Sequence, residues 1–328
     1  MRICIVGAGA IGGLLGARLA LCGEKVTLIA RGEHLAAIRR SGLRLISGEE
    51  ELVVEDLQAT EALDRAGRHE LVILALKAHQ IEAVAPGLPA LYGDDTVVLT
   101  VQNGIPWWYF QKHGGPLEGR RLESLDPHGT IEEHIPAQRI LGGIAYPAAE
   151  RVAPGVVRHI EDNRFPVGEL DGSKSERARR IAEVLSRAGF KSRVVSDIRA
   201  QIWIKLWGNL SFNPISALTG ATMVEIARFP ETRRLVGRMM EEARLVAEKL
   251  GVRIPFTVEQ RIAGAEAVGE HKTSMLQDLE AGRSLEVEAL VGAVAELGRL
   301  TETPTPHIDA VYALVKLLDR TRGARAAG

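Results

Sequence analysis

The sequence predicts an α/β fold in its first part and an all-helical second part, and three observations carry that prediction. Up to Val195, short apolar β-rich runs alternate with helical stretches. From Asp197 onward, apolar residues recur with helical periodicity. A glycine-rich turn at Gly7 to Gly12 joins a strand pattern directly to a helix pattern.

The strand candidates are Arg2–Val6, Lys25–Ile29, Leu71–Leu76 and Thr96–Val101. Continuous apolar strands alternating with helices imply a parallel-rich sheet covered on both faces. Leu43–Ile46 and Leu52–Val54 flank a polar turn and read as a small hairpin. A second β-rich region follows at Ile140–Ala145, Val156–Ile160 and Phe165–Val167, then a helix over Ser175–Ala188 and a last strand near Lys191–Val195. The helices expected beyond it are Asp197–Phe212, Glu231–Leu250, Pro255–Val268, Leu285–Leu300 and Pro306–Asp319. Asp197 suits an N-cap, Pro255 and Pro306 a first helical turn, and Gly251 a helix end. The expected domains are therefore 1–196 and 197–328.

Bulk properties narrow the function classes. The chain has 328 residues, 46% apolar and 25% charged, as expected of a globular protein of two domains. A net charge of −1, with no basic stripe, argues against nucleic acid and anionic membranes as partners. No run of 18 apolar residues is present, so no membrane span is expected. Cys4 and Cys22 make neither a disulfide framework nor a metal site, which suits a reduced, cytoplasmic compartment. No internal repeat is visible, and only the tail from Arg322 to Gly328 has a biased composition.

Gly7-Ala8-Gly9-Ala10-Ile11-Gly12 has the spacing and context of a Rossmann-type dinucleotide turn. Gly7 allows the tight turn, Gly9 lets backbone approach a pyrophosphate, and Gly12 lets helix and strand pack closely. The helix N-terminus presents N–H groups to the phosphates. At the tip of the second strand, where an NAD enzyme usually carries an acid, the sequence reads Leu28-Ile29-Ala30-Arg31. Arg31 can pair with a 2′-phosphate, so NADP (NADPH) is favoured as cofactor. The alternative is that Arg31 is solvated and Glu33 takes the ribose. Lys77 and Gln102-Asn103-Gly104 follow the third and fourth strand candidates, where open α/β sheets bind ligands; each also suits plain turn chemistry.

Lys205, Asn209 and Asn213 recur every four residues on a helix whose other residues are apolar or aromatic. Such a polar line needs mutual bonds or a ligand. Pro214 disfavours a continuing helix and places Asn213 at a bend. Between His271 and Glu286 the sequence reads as a polar loop or helix end, with Glu286 in the first turn of the next helix, where a carboxylate also serves as a cap.

These residues resemble the ketopantoate reductase family. The resemblance spans nearly the whole chain: GAGAIGG, Lys77, Gln102-Asn103-Gly104, the run Ala153-Pro154-Gly155-Val156-Val157-Arg158-His159, the lysine–asparagine stripe, and Ser274-Met275 with Asp278, Gly282-Arg283 and Glu286. It implies a Rossmann domain followed by a 6-phosphogluconate-dehydrogenase-like helical domain. By resemblance Lys205 is the catalytic lysine and Glu286 its carboxylate partner. Asn209, Asn213, Ser274 and Asn103 bind substrate, and Asn103 also lies near the nicotinamide. Arg31 and Lys77 contact the adenosine-phosphate side of NADPH. The implied reaction is reduction of a small branched 2-keto acid in coenzyme A supply, with no metal. Family members are often homodimers, although no self-complementary surface is legible here.

Trp107-Trp108-Tyr109-Phe110 and the stretch 118–138 depart from the pattern. They border the substrate or are core and surface loop. Two other functions compete: a related NAD-linked dehydrogenase of another keto or hydroxy acid, and a non-enzymatic NADPH sensor, against which the joint presence of Lys205 and Glu286 argues.

Overall fold

The computed structural model describes residues 1–327. They form two compact units. The first comprises Met1–Gln102, Phe110–Arg121 and His128–Ile198; the second takes Asn103–Tyr109, Leu122–Pro127 and the chain from Arg199 onward.

The first unit carries eleven strands: β1 (Arg2–Val6), β2 (Lys25–Ile29), β3 (Leu43–Ser47), β4 (Glu50–Val54), β5 (Gln58–Thr60), β6 (His69–Leu74), β7 (Tyr92–Thr100), β8 (Ile140–Gly143), β9 (Ala148–Ala153), β10 (Val156–Glu161) and β11 (Val167–Gly168). Its helices are α1 (Ala10–Leu21), α2 (Gly32–Ser41), α3 (Ile81–Val84), α4 (Thr130–His134) and α5 (Glu176–Arg187). Seven strands make the main sheet in the order β11-β8-β7-β6-β1-β2-β5, parallel throughout except for the edge strand β11. The expected hairpin is β3–β4, and it joins β10 and β9 in a second sheet of order β4-β3-β10-β9. Helix α1 packs against both sheets. Its glycines make this possible: a Cβ at Gly13 would lie 2.6 Å from Val157 Cγ2 of β10, and one at Gly16 would lie 2.7 Å from Leu28 Cδ2 of β2. One apolar core runs through β1, α1, β2, β6 and α5 and takes in Val157 and Leu45 of the small sheet.

This unit differs from the expectation in several places: β5 matches no expected strand, and β11 begins at Val167 rather than Phe165. Ala148–Ala153 forms a strand that its alanine-rich sequence does not advertise, because antiparallel pairing with β10 supplies the ladder. Lys191–Val195 makes only isolated bridges, Lys191 with Arg164 and Val194 with Val167.

The second unit is helical: α6 (Ile198–Thr219, its first residue belonging to the first unit), α7 (Met223–Arg228), α8 (Pro230–Lys249), α9 (Val258–Ala267), α10 (Ser274–Glu280), a π-helical turn Glu288–Gly292 running into α11 (Ala293–Leu300), and α12 (Pro306–Ala327). Gly328 lies outside the described residues; the rest of the tail belongs to α12. Helix α6 does not stop at Pro214. Proline in a helix interior costs about 3 kcal/mol. Trp203, Trp207, Leu210 and Phe212 are at most 1% exposed, and each such burial contributes about 1.5–3 kcal/mol, so packing outweighs the proline. Trp207 Nε1 also donates to the Met240 carbonyl at 2.6 Å. Pro255 lies outside helix α9, whose N-cap is Thr257: its Oγ1 accepts from Gln260 N at 3.1 Å while Gln260 Oε1 accepts from Thr257 N at 2.9 Å. Pro306 does open α12.

Two buried histidines tie the first unit together. His34 Nδ1 accepts from the Gly155 amide at 2.9 Å, and His69 bridges the Gly67 carbonyl (2.9 Å) and Thr27 Oγ1 (3.1 Å). Burial holds both imidazoles below their ordinary value of 6.5. The fold therefore favours their neutral forms. Their contribution to stability is fully present above about pH 6.5 and falls away as pH drops below that value, because the unfolded chain then binds more protons. The midpoint of urea unfolding is expected to be lower at pH 5.5 than at pH 7.5, with a smaller drop in His69→Gln. Equal drops in the two proteins would contradict this account of His69.

Candidate active site

In the first unit the carboxyl ends of β6, β1 and β2, three neighbouring parallel strands, carry the expected cofactor residues. Gly7 follows β1 with φ +102°, and a Cβ there would sit 2.8 Å from the Ala75 carbonyl oxygen. A Cβ at Gly12 would collide with the Gly7 carbonyl. Around Gly9, by contrast, nothing lies within 4 Å of such an atom. Gly7 and Gly12 thus serve the close packing of strand and helix, and Gly9 leaves open space beside the turn. Ala8 and Gly7 both donate their amides to the Ile29 carbonyl, at 3.1 and 3.2 Å. Ala10 and Ile11 open α1, which has no side-chain cap and no acid in its first turn, so its N-terminal field is left for an anion.

Arg31 follows β2, extended and exposed, as the N-cap residue of α2. Lys77 follows β6, half-buried, its amide donating to Gln80 Oε1 at 3.1 Å. Gln102 follows β7. Its Nε2 donates to the Leu74 carbonyl at 2.7 Å, and its buried Oε1 has no hydrogen-bond partner among the described residues. Sequence reasoning flags the Gln-Asn-Gly turn but assigns Gln102 no role, since an orphaned acceptor has no signature in one dimension.

The remaining candidates lie in the second unit. Lys205 Nζ donates to Asn103 Oδ1 at 2.7 Å, and Asn103 Nδ2 donates to Glu286 Oε2 at 3.3 Å. The Asn103 carboxamide therefore links ammonium and carboxylate in one chain. Asn213, 5% exposed, donates through Nδ2 to Ser274 Oγ at 3.3 Å. Asn209 lies between them on α6, half-buried. Lys205 and Asn213 accordingly find these partners on other segments.

Ser274 is exposed and opens α10, a helix where a polar loop or helix end was expected; Thr273 caps it through an Oγ1 bond from the Leu276 amide at 3.2 Å. Glu286 is 8% exposed and stands just before its helix instead of in the first turn, with its carboxylate accepting from Asn103 Nδ2. Its backbone carbonyl accepts from Leu290 N at 3.2 Å.

The residues after Asn103 hold it in place. Gly104 has φ +83°, and a Cβ there would collide with the Ala289 carbonyl. The same carbonyl, on the π turn, accepts the Ile105 amide at 2.9 Å. Further along, Tyr109 OH accepts from Trp203 Nε1 and the Tyr109 carbonyl from Arg199 Nε, both at 2.8 Å. Trp107, Trp108, Tyr109 and Phe110 are all at most 6% exposed, which makes them core. Within 118–138, Glu123 and Ser124 donate their amides to the Glu296 carboxylate at 2.8 and 2.9 Å.

Known proteins match this chain over nearly its whole length. The ketopantoate reductase PanE/ApbA family model matches residues 3–172, and the model of its C-terminal domain matches 197–319. The chain belongs to the ketopantoate reductase family. Its members are oxidoreductases acting on CH–OH groups, and they use a nicotinamide cofactor.

A 2-dehydropantoate 2-reductase of Mesorhizobium japonicum is 53% identical over 98% of this chain and 99% of its own. A crystal structure from Ralstonia solanacearum, assigned as a ketopantoate reductase, matches with TM-score 0.94 and 42% identity over 98% of both chains. D-mandelate dehydrogenase with NADH and anilino(oxo)acetate matches with TM-score 0.84 and 25% identity over 98% of this chain and 100% of that one. Among the described residues, no helix is long and apolar enough to cross a membrane, and no cluster of metal-ligating residues occurs.

Gly104→Ala adds a side chain where both the backbone angle and the Ala289 carbonyl forbid it. In this ketopantoate reductase relative the substitution is expected to destabilise the fold by about 1–3 kcal/mol and to lower turnover through displacement of Asn103. Thermal melts and steady-state kinetics check it; an unchanged melting temperature would show that the turn adapts freely.

Proposed function

We propose that this chain reduces 2-dehydropantoate to (R)-pantoate with NADPH, a step in pantothenate and coenzyme A supply. The observation that carries the reading is the Lys205–Asn103–Glu286 chain, with its 2.7 Å ammonium contact. The dinucleotide, when bound, supplies the hydride. Negative charge then develops on the keto oxygen, and Lys205 Nζ stabilises it and donates the proton. Asn103 Oδ1 aims that ammonium, and Glu286 fixes the carboxamide through its other end. Asn209, Asn213 and Ser274 supply donors for the remaining oxygens of a small keto acid. Residues 1–196 are assigned to the cofactor, and 197–328 with Asn103 to the substrate.

NADPH is preferred to NADH on the strength of Arg31, a permanent cation at the end of β2, together with Lys77 at the end of β6. The orphaned Gln102 Oε1 suits a ribose hydroxyl or carboxamide donor of the same cofactor. The reading also carries a cytoplasmic location, consistent with two free cysteines, and a homodimer by family habit. The second reading, an NADH-linked dehydrogenase of another 2-hydroxy acid, is favoured by the likeness to D-mandelate dehydrogenase.

Oxidation of NADPH and of NADH, followed with 2-dehydropantoate and a panel of branched and aryl 2-keto acids, separates the two readings. Lys205→Ala is expected to lower kcat by about 10²–10⁴-fold with NADPH affinity retained. Full turnover in that variant would remove the lysine from the mechanism. Arg31→Ala is expected to weaken NADPH binding by about 10–100-fold, the loss of a charge-assisted hydrogen bond, and to leave NADH binding unchanged. Equal effects on both cofactors would refute a 2′-phosphate contact.

A further inference from the structure

We propose that Arg261 reads the carboxylate of the 2-keto acid, and that Gly208 is glycine in order to admit it. The inference rests on the assignment of Lys205 to the keto oxygen. Gly208 is a buried residue in the middle of the 22-residue helix α6, three residues after Lys205 and one before Asn209. Glycine is among the poorest residues for a helix interior, so its presence there needs a local reason. The space beside it supplies one: a Cβ at Gly208 would collide with the Arg261 guanidinium, with Cζ at 2.6 Å and Nε at 2.8 Å. The guanidinium thus lies directly on the α6 backbone, about 4.5 Å along the axis from Lys205. Helix α9 fixes its position. Thr257 and Gln260 cap each other's amides at the start, and the Arg261 amide bonds to the Thr257 carbonyl at 3.1 Å.

A 2-keto acid presents two oxygen-bearing groups on adjacent carbons. The keto oxygen needs a group able to give up a proton, which an ammonium can do. The carboxylate needs a charge that persists across the working pH range and a planar donor pair, which a guanidinium provides. Two unlike cations presented at adjacent turns of the same helix face match that pair of groups in kind. Asparagine and serine donors alone would bind an ester or amide nearly as well as the acid. Arg261 makes ionisation of the substrate a condition of tight binding.

The test compares ketopantoate with its uncharged methyl ester in wild type, Arg261→Ala, Arg261→Lys and Gly208→Ala. Arg261→Ala is expected to raise KM for the acid by about 10–100-fold with kcat within a few-fold, and to leave KM for the ester and the affinity for NADPH unchanged. Arg261→Lys recovers part of the loss. Gly208→Ala, which keeps the arginine but evicts it, raises KM for the acid alone. A general packing role would raise KM for acid and ester together, and that result, or an unchanged KM for the acid in a folded Arg261→Ala, overturns the proposal. If the wild type turns over neither compound, the proposed reaction is what fails. Calorimetric binding of ketopantoate to the wild type and to Arg261→Ala then decides the role of the arginine by itself, equal affinities refuting it.

Discussion

The helical unit is organised around the carboxamide of Asn103. An amide side chain has one accepting and one donating end, and here both are committed: the oxygen to the Lys205 ammonium and the nitrogen to the Glu286 carboxylate. A charged residue on α6 and one just before the π turn are thereby coupled through a neutral group. The surrounding backbone serves this bridge. Gly104 brings the chain against Ala289, and the bonds of Tyr109 to Trp203 and Arg199 anchor the same segment to α6.

The Rossmann-type unit solves a different problem, which is to bring backbone close to an anion. Glycines do this twice over. Gly7 and Gly12 permit contacts that any Cβ would block, and Gly13 and Gly16 let α1 fit between two sheets. Within the motif, Gly9 has open space beside it. The division of labour inside one short motif follows from which neighbours each glycine meets.

Much of this was legible in one dimension. The strands flanking α1 and the glycine spacing are local patterns, and Lys205, Asn209 and Asn213 share a helix face by periodicity alone. What stayed hidden is non-local. Ala148–Ala153 is a strand because β10 lies beside it, and α6 survives Pro214 because tryptophans, Leu210 and Phe212 bury its neighbours. Helix α10 is too short and polar to show a face, yet its threonine cap settles its start. The orphaned oxygen of Gln102 and the pairing of Gly208 with Arg261 each depend on an atom contributed, or not contributed, by another element.

The second unit borrows Asn103–Tyr109 and Leu122–Pro127 from the chain that otherwise builds the first. The halves are therefore not interchangeable cassettes. A recombination event that joined residues after 196 to a foreign dinucleotide-binding module would carry over lysine and glutamate but leave their connecting amide behind. Lineages diverging by exchange of whole modules would have to bring along a matching turn from the end of the donor's counterpart of β7. New specificities in such a scaffold are more accessible by point substitution within the helices than by shuffling.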